Sequence, residues 1–148
     1  MAVTTRWYGQ PLDNLWSGLA NAAWDWDTDT IKISLHTVTY AIDYDAHDFY
    51  NDVTNEVSSA NYTAGGNTLG TPSVTVDSAT DEVRLDMADT SWTNVTFTAR
   101  YAVIYKSTGT AATSPLIAAI DFGADQTVSS GNFSITFDTT GVIKADYT

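Results

Sequence analysis

Apolar and polar residues alternate along most of the chain after residue 25, which is the spacing of strands with one buried face. In the stretch 31–40, Ile31, Ile33 and Leu35 share one face, and Lys32, Ser34 and His36 share the other, which we expect to face water. The β-branched, threonine-rich composition supports strands. Further strands are predicted at 73–77, 83–87, 95–105, 116–122, 133–137 and 142–145, the first two forming a hairpin around the turn at 78–81.

Two segments depart from this alternation. Leu12, Leu15, Trp16 and Leu19 follow the i, i+3, i+4, i+7 spacing, with a proline near the start, so the pattern predicts a short amphipathic helix over 11–23. The stretch 43–56 mixes aspartates with aromatic residues and fits either a helical turn or an ordered loop.

Several short strands, with helix confined to the first third, predict a mainly β protein: an antiparallel β-sandwich or jelly-roll-like single domain with one short N-terminal helix. The 148 residues suffice for one core without a disulfide or metal. We assign 1–148 to this domain and interpret 1–24 as a candidate N-terminal anchoring segment.

Charge narrows the set of partners. Six Lys and Arg residues stand against 18 Asp and Glu, a net charge of −12 with no basic cluster. DNA and anionic membranes would repel such a chain, so we expect it to bind neither nucleic acid nor membrane. The opening residues contain no apolar signal region, and the chain no membrane-spanning stretch, so we expect a soluble protein made in a cytoplasm.

The inventory of catalytic groups is small. The chain has no cysteine, no G-x-S-x-G motif and two histidines, His36 and His47, so no hydrolytic triad is indicated. Paired carboxylates for glycoside hydrolysis depend on a spatial separation that sequence does not give. No glycine-rich turn is followed by the lysine and helix of a phosphate loop. We therefore predict a protein that is not an enzyme and needs no cofactor.

Three alternate carboxylates could hold a calcium ion. Asp25, Asp27 and Asp29 resemble the first half of a calcium loop, but Thr30 replaces the required glycine and His36 the closing glutamate. An EF-hand is thereby excluded. The open alternatives are a different calcium site and a solvated acidic turn that leads into the strand at 31.

Aromatic residues concentrate near the N-terminus, where such rings either fill a core or anchor an interface. A carbohydrate platform would use the same rings, exposed and coplanar. For the interface interpretation the candidate anchoring group is Trp7, Tyr8, Leu12, Leu15, Trp16 and Leu19.

Several segments together carry a family resemblance. They are MAVTTRWYG at 1–9, WDWDTDTIKISL at 24–35, HDFYNDVTNEV at 47–57, YTAGG at 62–66, and the stretch from RYAVIY at 100–105 to DFG at 121–123. In these segments the chain resembles a family of small tailed-phage virion structural proteins, usually described as capsid decoration proteins.

The resemblance implies a virion component on the outer capsid surface that binds the major capsid protein and its own copies, as a symmetric oligomer such as a trimer. Two alternatives stay open: a structural protein of the tail or tail tip, and a glycan-binding module on the virion.

Overall fold

The computed structural model describes residues 4–19 and 23–147. Within these ranges the chain forms eight strands, one α-helix and two 3₁₀ turns, at Tyr50–Asp52 and Ala111–Thr113. The regular elements are β1 (Thr4–Trp7), α1 (Gly9–Trp16), β2 (Ile31–His36), β3 (Asn67–Thr68), β4 (Ser73–Asp77), β5 (Glu82–Asp86), β6 (Thr90–Lys106), β7 (Leu116–Ile135) and β8 (Ile143–Asp146).

The strands form two antiparallel sheets. The larger has the order β1-β7-β6-β2-β3 and the smaller the order β4-β5-β8. The mainly β fold with one helix near the N-terminus confirms the predicted β-sandwich class. The predicted hairpin is also present, with Val76 opposite Val83 and Val74 opposite Leu85.

The long hairpin of β6 and β7 is the centre of the larger sheet and differs from the prediction. The strands predicted at 116–122 and 133–137 belong largely to one strand, β7, which ends at Ile135. Register shifts along the pair coincide with Asn94 and Ser130, both at positive φ. Bulges let a strand bend and continue past irregular pairing, so the polar stretch between the two apolar segments does not end it.

The main core lies between the two sheets. Ile33 and Ile104 of the larger sheet pack in one cluster with Leu85 and Ile143 of the smaller one. All four side chains are buried. Burying one such side chain contributes about 1.5–3 kcal/mol, so this layer is the principal source of stability.

A second core lies on the opposite face of the larger sheet. Tyr8, Tyr40, Val103 and Leu116 are its buried centre, and side chains of the segment 42–53 pack against it. The larger sheet is therefore covered on both faces, which explains the continuous apolar run in the middle of β6.

The water-facing side predicted for β2 is wrong for this reason. Ser34 and His36 are buried beneath the segment that follows β2. Ser34 Oγ lies 2.8 Å from His36 Nε2, and His36 Nδ1 lies 2.9 Å from the Thr54 carbonyl oxygen. Because these polar groups satisfy one another and the backbone, they can be buried without a large desolvation cost.

Candidate interaction surface

The first strand holds the N-terminal segment to the body of the protein. β1 pairs with β7, with Thr4 opposite Asp121 and Trp7 opposite Ala118. Trp7 is half-buried, stacks on Trp24 at 6.0 Å and donates its indole N–H to the Lys144 carbonyl at 3.3 Å. Trp7 thus ties the larger sheet to the edge of the smaller one.

Tyr8 belongs to the second core. It is 0% exposed, its backbone N–H donates to the Ile117 carbonyl at 3.1 Å, and its hydroxyl lies 2.9 Å from the Tyr40 hydroxyl. Burial, with the neighbouring Tyr40, raises the pKa of the Tyr8 phenol, which stays neutral. This member of the predicted anchoring group is therefore structural in the isolated chain.

The start of α1 is fixed by contacts with the segment after β2. The Gly9 N–H donates to the Tyr44 carbonyl at 2.7 Å, and Pro11 is buried in the first turn. Asn14 donates from its side chain to Asp48 at 3.4 Å. These contacts set the direction in which the helix leaves the body.

A glycine cap ends α1 earlier than predicted. The Gly18 N–H donates to the Leu15 carbonyl at 3.3 Å and the Leu19 N–H to the Asn14 carbonyl at 3.0 Å, with Gly18 at φ 72°. This pair of bonds with a left-handed residue is the Schellman motif. The helix is Gly9–Trp16 and not 11–23; residues 20–22 of that prediction, and 1–3 of the segment 1–24, lie outside the described residues.

The cap leaves two large apolar side chains in solvent. Trp16 is 80% exposed and Leu19 is 51% exposed, whereas Leu12 and Leu15 are half-buried. A tryptophan side chain offers on the order of 200 Å² of contact area. We call Leu12, Leu15, Trp16 and Leu19 the helix surface; of the predicted anchoring group, it excludes Trp7 and Tyr8.

Acidic groups lie close to the helix surface. Asp13 on α1 is exposed, and Asp48 contacts α1 through Asn14. Partial burial, together with the charge of Asp52, raises the pKa of the Asp48 carboxyl. An apolar helix end beside carboxylates suits a partner surface that offers an apolar recess and basic residues.

The acidic turn at 25–29 does not gather its three carboxylates. The Asp29 carboxylate accepts the Asp25 backbone N–H at 2.7 Å and pairs with Lys106 Nζ at 3.0 Å. A side-chain hydrogen bond joins Asp25 and Asp27; it lowers the pKa of Asp25 and raises that of Asp27. Over residues 4–19 and 23–147, no three acidic or histidine side chains form a group that could hold a metal ion.

Two grooves open on the described surface, and each is lined by one acid. A groove of about 510 Å³ between β7 and the segment that follows it has Phe122, Phe133 and Asp138 in its wall. A second, of about 370 Å³, contains Glu56, which accepts hydrogen bonds from Tyr62 and Gly65. Neither groove presents the carboxylate pair that glycoside hydrolysis uses.

The pair formed by Ser34 and His36 has the spacing of a nucleophile and its base, but no route to substrate. Burial lowers the pKa of His36 to about 4, so the ring is neutral at neutral pH. Its second nitrogen faces a backbone carbonyl where a triad has a carboxylate. Ser34 is 0% exposed, so a substrate cannot reach its hydroxyl. The role of the pair is structural, because the contact between His36 and the Thr54 carbonyl holds residue 54 against β2.

The sequence pattern did not reveal one exposed apolar site. Val74 and Val76 on β4 are 46% and 67% exposed, although their alternation predicts a buried face. Alternation identifies the face of a strand, but it does not show whether the opposing layer reaches that far.

Comparisons of the chain with protein-family models, with curated proteins and with solved structures find no match. No helix of the described residues is long and apolar enough to cross a membrane.

Proposed function

We propose that this protein is a non-enzymatic structural component of a tailed-phage virion that decorates and stabilises the outer capsid by binding the major capsid protein. The observation that carries the proposal is the 80% exposure of Trp16 on a helix whose first turn is fixed to the core. A large exposed ring on a rigid element is costly in water and suited to insertion into a partner, and tryptophan is enriched among residues that dominate binding energy.

Charge and fold support the same role. A net charge of −12 keeps an unbound subunit soluble and disfavours entry into the DNA-filled interior. A two-sheet body carrying one projecting helix end gives a rigid unit that can repeat over a lattice. Weak single contacts would then add through many copies.

The ring distribution favours a protein partner over a glycan. A carbohydrate platform uses several exposed, coplanar rings. Among the described residues, the largely exposed rings are Trp16 and Tyr147, and they lie near opposite ends of the chain. Protein interfaces, by contrast, commonly rely on one central aromatic anchor.

Co-sedimentation with undecorated shells tests the proposal. We expect the wild-type protein to pellet with shells and Trp16→Ala to raise the Kd by about tenfold or more. Tyr147→Ala is the matched control, because Tyr147 is 52% exposed and lies on the segment after β8; its binding should equal that of the wild type.

Both variants change exposed side chains, so their unfolding free energies should stay within about 0.5 kcal/mol of the wild type. Equal shell binding by the wild type and Trp16→Ala would refute the role of the helix surface. Electron cryo-microscopy showing the protein only at the tail would refute the capsid location.

A further inference from the structure

The edge strand β4 lacks a strand partner on its outer side. In the order β4-β5-β8, β4 pairs with β5, and the described residues place no strand on its other edge. An uncovered edge presents unpaired backbone N–H and C=O groups that can pair with another chain. The opposite edge, β8, is partly covered, because the Trp7 indole binds the Lys144 carbonyl.

The exposed valines lie on the apolar face of the same sheet. Val74 is opposite Leu85 and Val76 is opposite Val83, and directly opposed residues point to the same face. Leu85 is buried in the main core, whereas Val76 is 67% exposed. The apolar face of the hairpin therefore extends beyond the core and ends in two uncovered side chains.

The strand has few of the features that usually protect an edge. Its sequence is SVTVD, with no lysine, arginine, proline or bulge inside it. Its one charged residue, Asp77, lies at the end of the strand and pairs with Arg84 at 2.6 Å. Natural edge strands are commonly protected by such features, since an exposed flat edge otherwise associates.

We infer that β4 pairs antiparallel with β4 of a second copy about a two-fold axis at Thr75, joining the two small sheets into one six-stranded sheet. In this register Val74 faces Val76 of the partner subunit, and Thr75 faces Thr75 of the partner subunit. Asp77 faces Ser73 of the partner subunit, so no two acids are opposed. Apolar and threonine cross-strand pairs are both favourable.

The symmetry of the strand indicates that its partner is a second copy of the same chain. A two-fold interface must complement itself, and SVTVD reads nearly the same in both directions about Thr75. A shift by one residue would place the valine face of one copy on the threonine face of the other. Antiparallel edge pairing gives a two-fold dimer, so this contact by itself does not build the trimer considered from the family resemblance.

The dimer should be weak and salt-dependent. Five residues a side bury less than the roughly 800 Å² per partner of a stable interface. Two copies, each with a charge of −12, also repel one another. Added salt screens that repulsion, so association should strengthen with ionic strength. The inference concerns the free protein and does not depend on binding to a capsid.

Sedimentation equilibrium over a range of protein and salt concentrations is the first test. We expect a monomer–dimer equilibrium that Val76→Lys weakens by at least tenfold. Val38→Lys is the control, because Val38 is also an exposed valine, at 52%, and its substitution makes the same charge change far from β4 in the chain. A monomer under all conditions, or equal weakening by both variants, would overturn the inference.

Cross-linking tests the register separately. The chain has no cysteine, so Thr75→Cys introduces one thiol per copy. Opposed residues of antiparallel strands have Cα atoms about 4.5–5.5 Å apart, within the range that a disulfide bridges. With a mild oxidant, Thr75→Cys should form a covalent dimer much faster than the control Thr93→Cys, also at an exposed strand threonine. Equal rates would overturn the proposed register.

Discussion

Two aromatic residues of the N-terminal segment, Tyr8 and Trp16, have opposite environments. Tyr8 is 0% exposed and hydrogen-bonded through both its backbone and its ring, whereas Trp16 is 80% exposed. Eight residues of sequence separate a core residue from an exposed one. The same short stretch therefore attaches itself to the fold and presents a contact surface, and the two roles should respond differently to substitution.

The largest expected effect is that of Tyr8→Ala. It removes a fully buried ring that packs on Tyr44, with ring centroids 5.4 Å apart, and leaves the Tyr40 hydroxyl without its partner at this position. We expect a loss of about 3–5 kcal/mol in unfolding free energy, measured by urea denaturation.

Tyr8→Phe is the control for the ring, since it removes only the hydroxyl and should cost about 1 kcal/mol. If Tyr8→Ala and Trp16→Ala lower the unfolding free energy by the same amount, the contrast between a core residue and an exposed contact residue is wrong.

Lowering the pH tests the stability of the core around Tyr8, because the buried His36 holds the segment that covers it. The segment that covers Tyr8 is held at Thr54 by the buried His36 ring, whose pKa is lowered to about 4. The unfolded chain, with an ordinary histidine pKa of about 6.5, binds more protons between these values. Stability therefore falls as the pH falls, by about 2 kcal/mol between pH ~7.5 and pH ~5.

Urea midpoints at the two pH values measure this loss, and His36→Gln, which does not titrate, should show much less of it. Asp27 and Asp48, whose pKa values are raised, are unchanged in His36→Gln, so the difference between the two proteins isolates the contribution of His36. An NMR titration midpoint near 6.5 for His36 in the folded protein would contradict the prediction.

Local pattern was enough for the hairpin of β4 and β5, because alternation and turn residues act over a few positions. It was not enough for Ser34 and His36, whose burial depends on a segment that returns from residues 37–56. Nor does helical spacing separate Leu12, which is half-buried, from Trp16, which is exposed. Those outcomes depend on which surfaces the distant parts of the chain cover.

The end of α1 could have been predicted from the sequence. Glycine directly after an amphipathic stretch is the usual helix stop, and Gly18 stands there. The leucine at 19 fits the helical spacing and so extended the prediction to 23. In the structure that leucine follows the cap, so its apolar character contributes to exposed surface and not to helix length.

The smallest effect we predict is that of Gly18→Ala, which acts at the boundary between the two regions. A Cβ at Gly18 would meet no atom within 4 Å, so the cost comes from the left-handed φ of 72°. That strain is about 1 kcal/mol for a residue with a side chain. Gly70→Ala is the matched control: its Cβ also meets nothing within 4 Å, and its φ lies outside the left-handed range. Thermal melts should show a lower Tm for Gly18→Ala only.

Shell binding tests whether the cap also sets the orientation of Trp16. If it does, Gly18→Ala should bind shells more weakly than Gly70→Ala. Equal binding by the two variants would mean that the position of Trp16 does not depend on the cap.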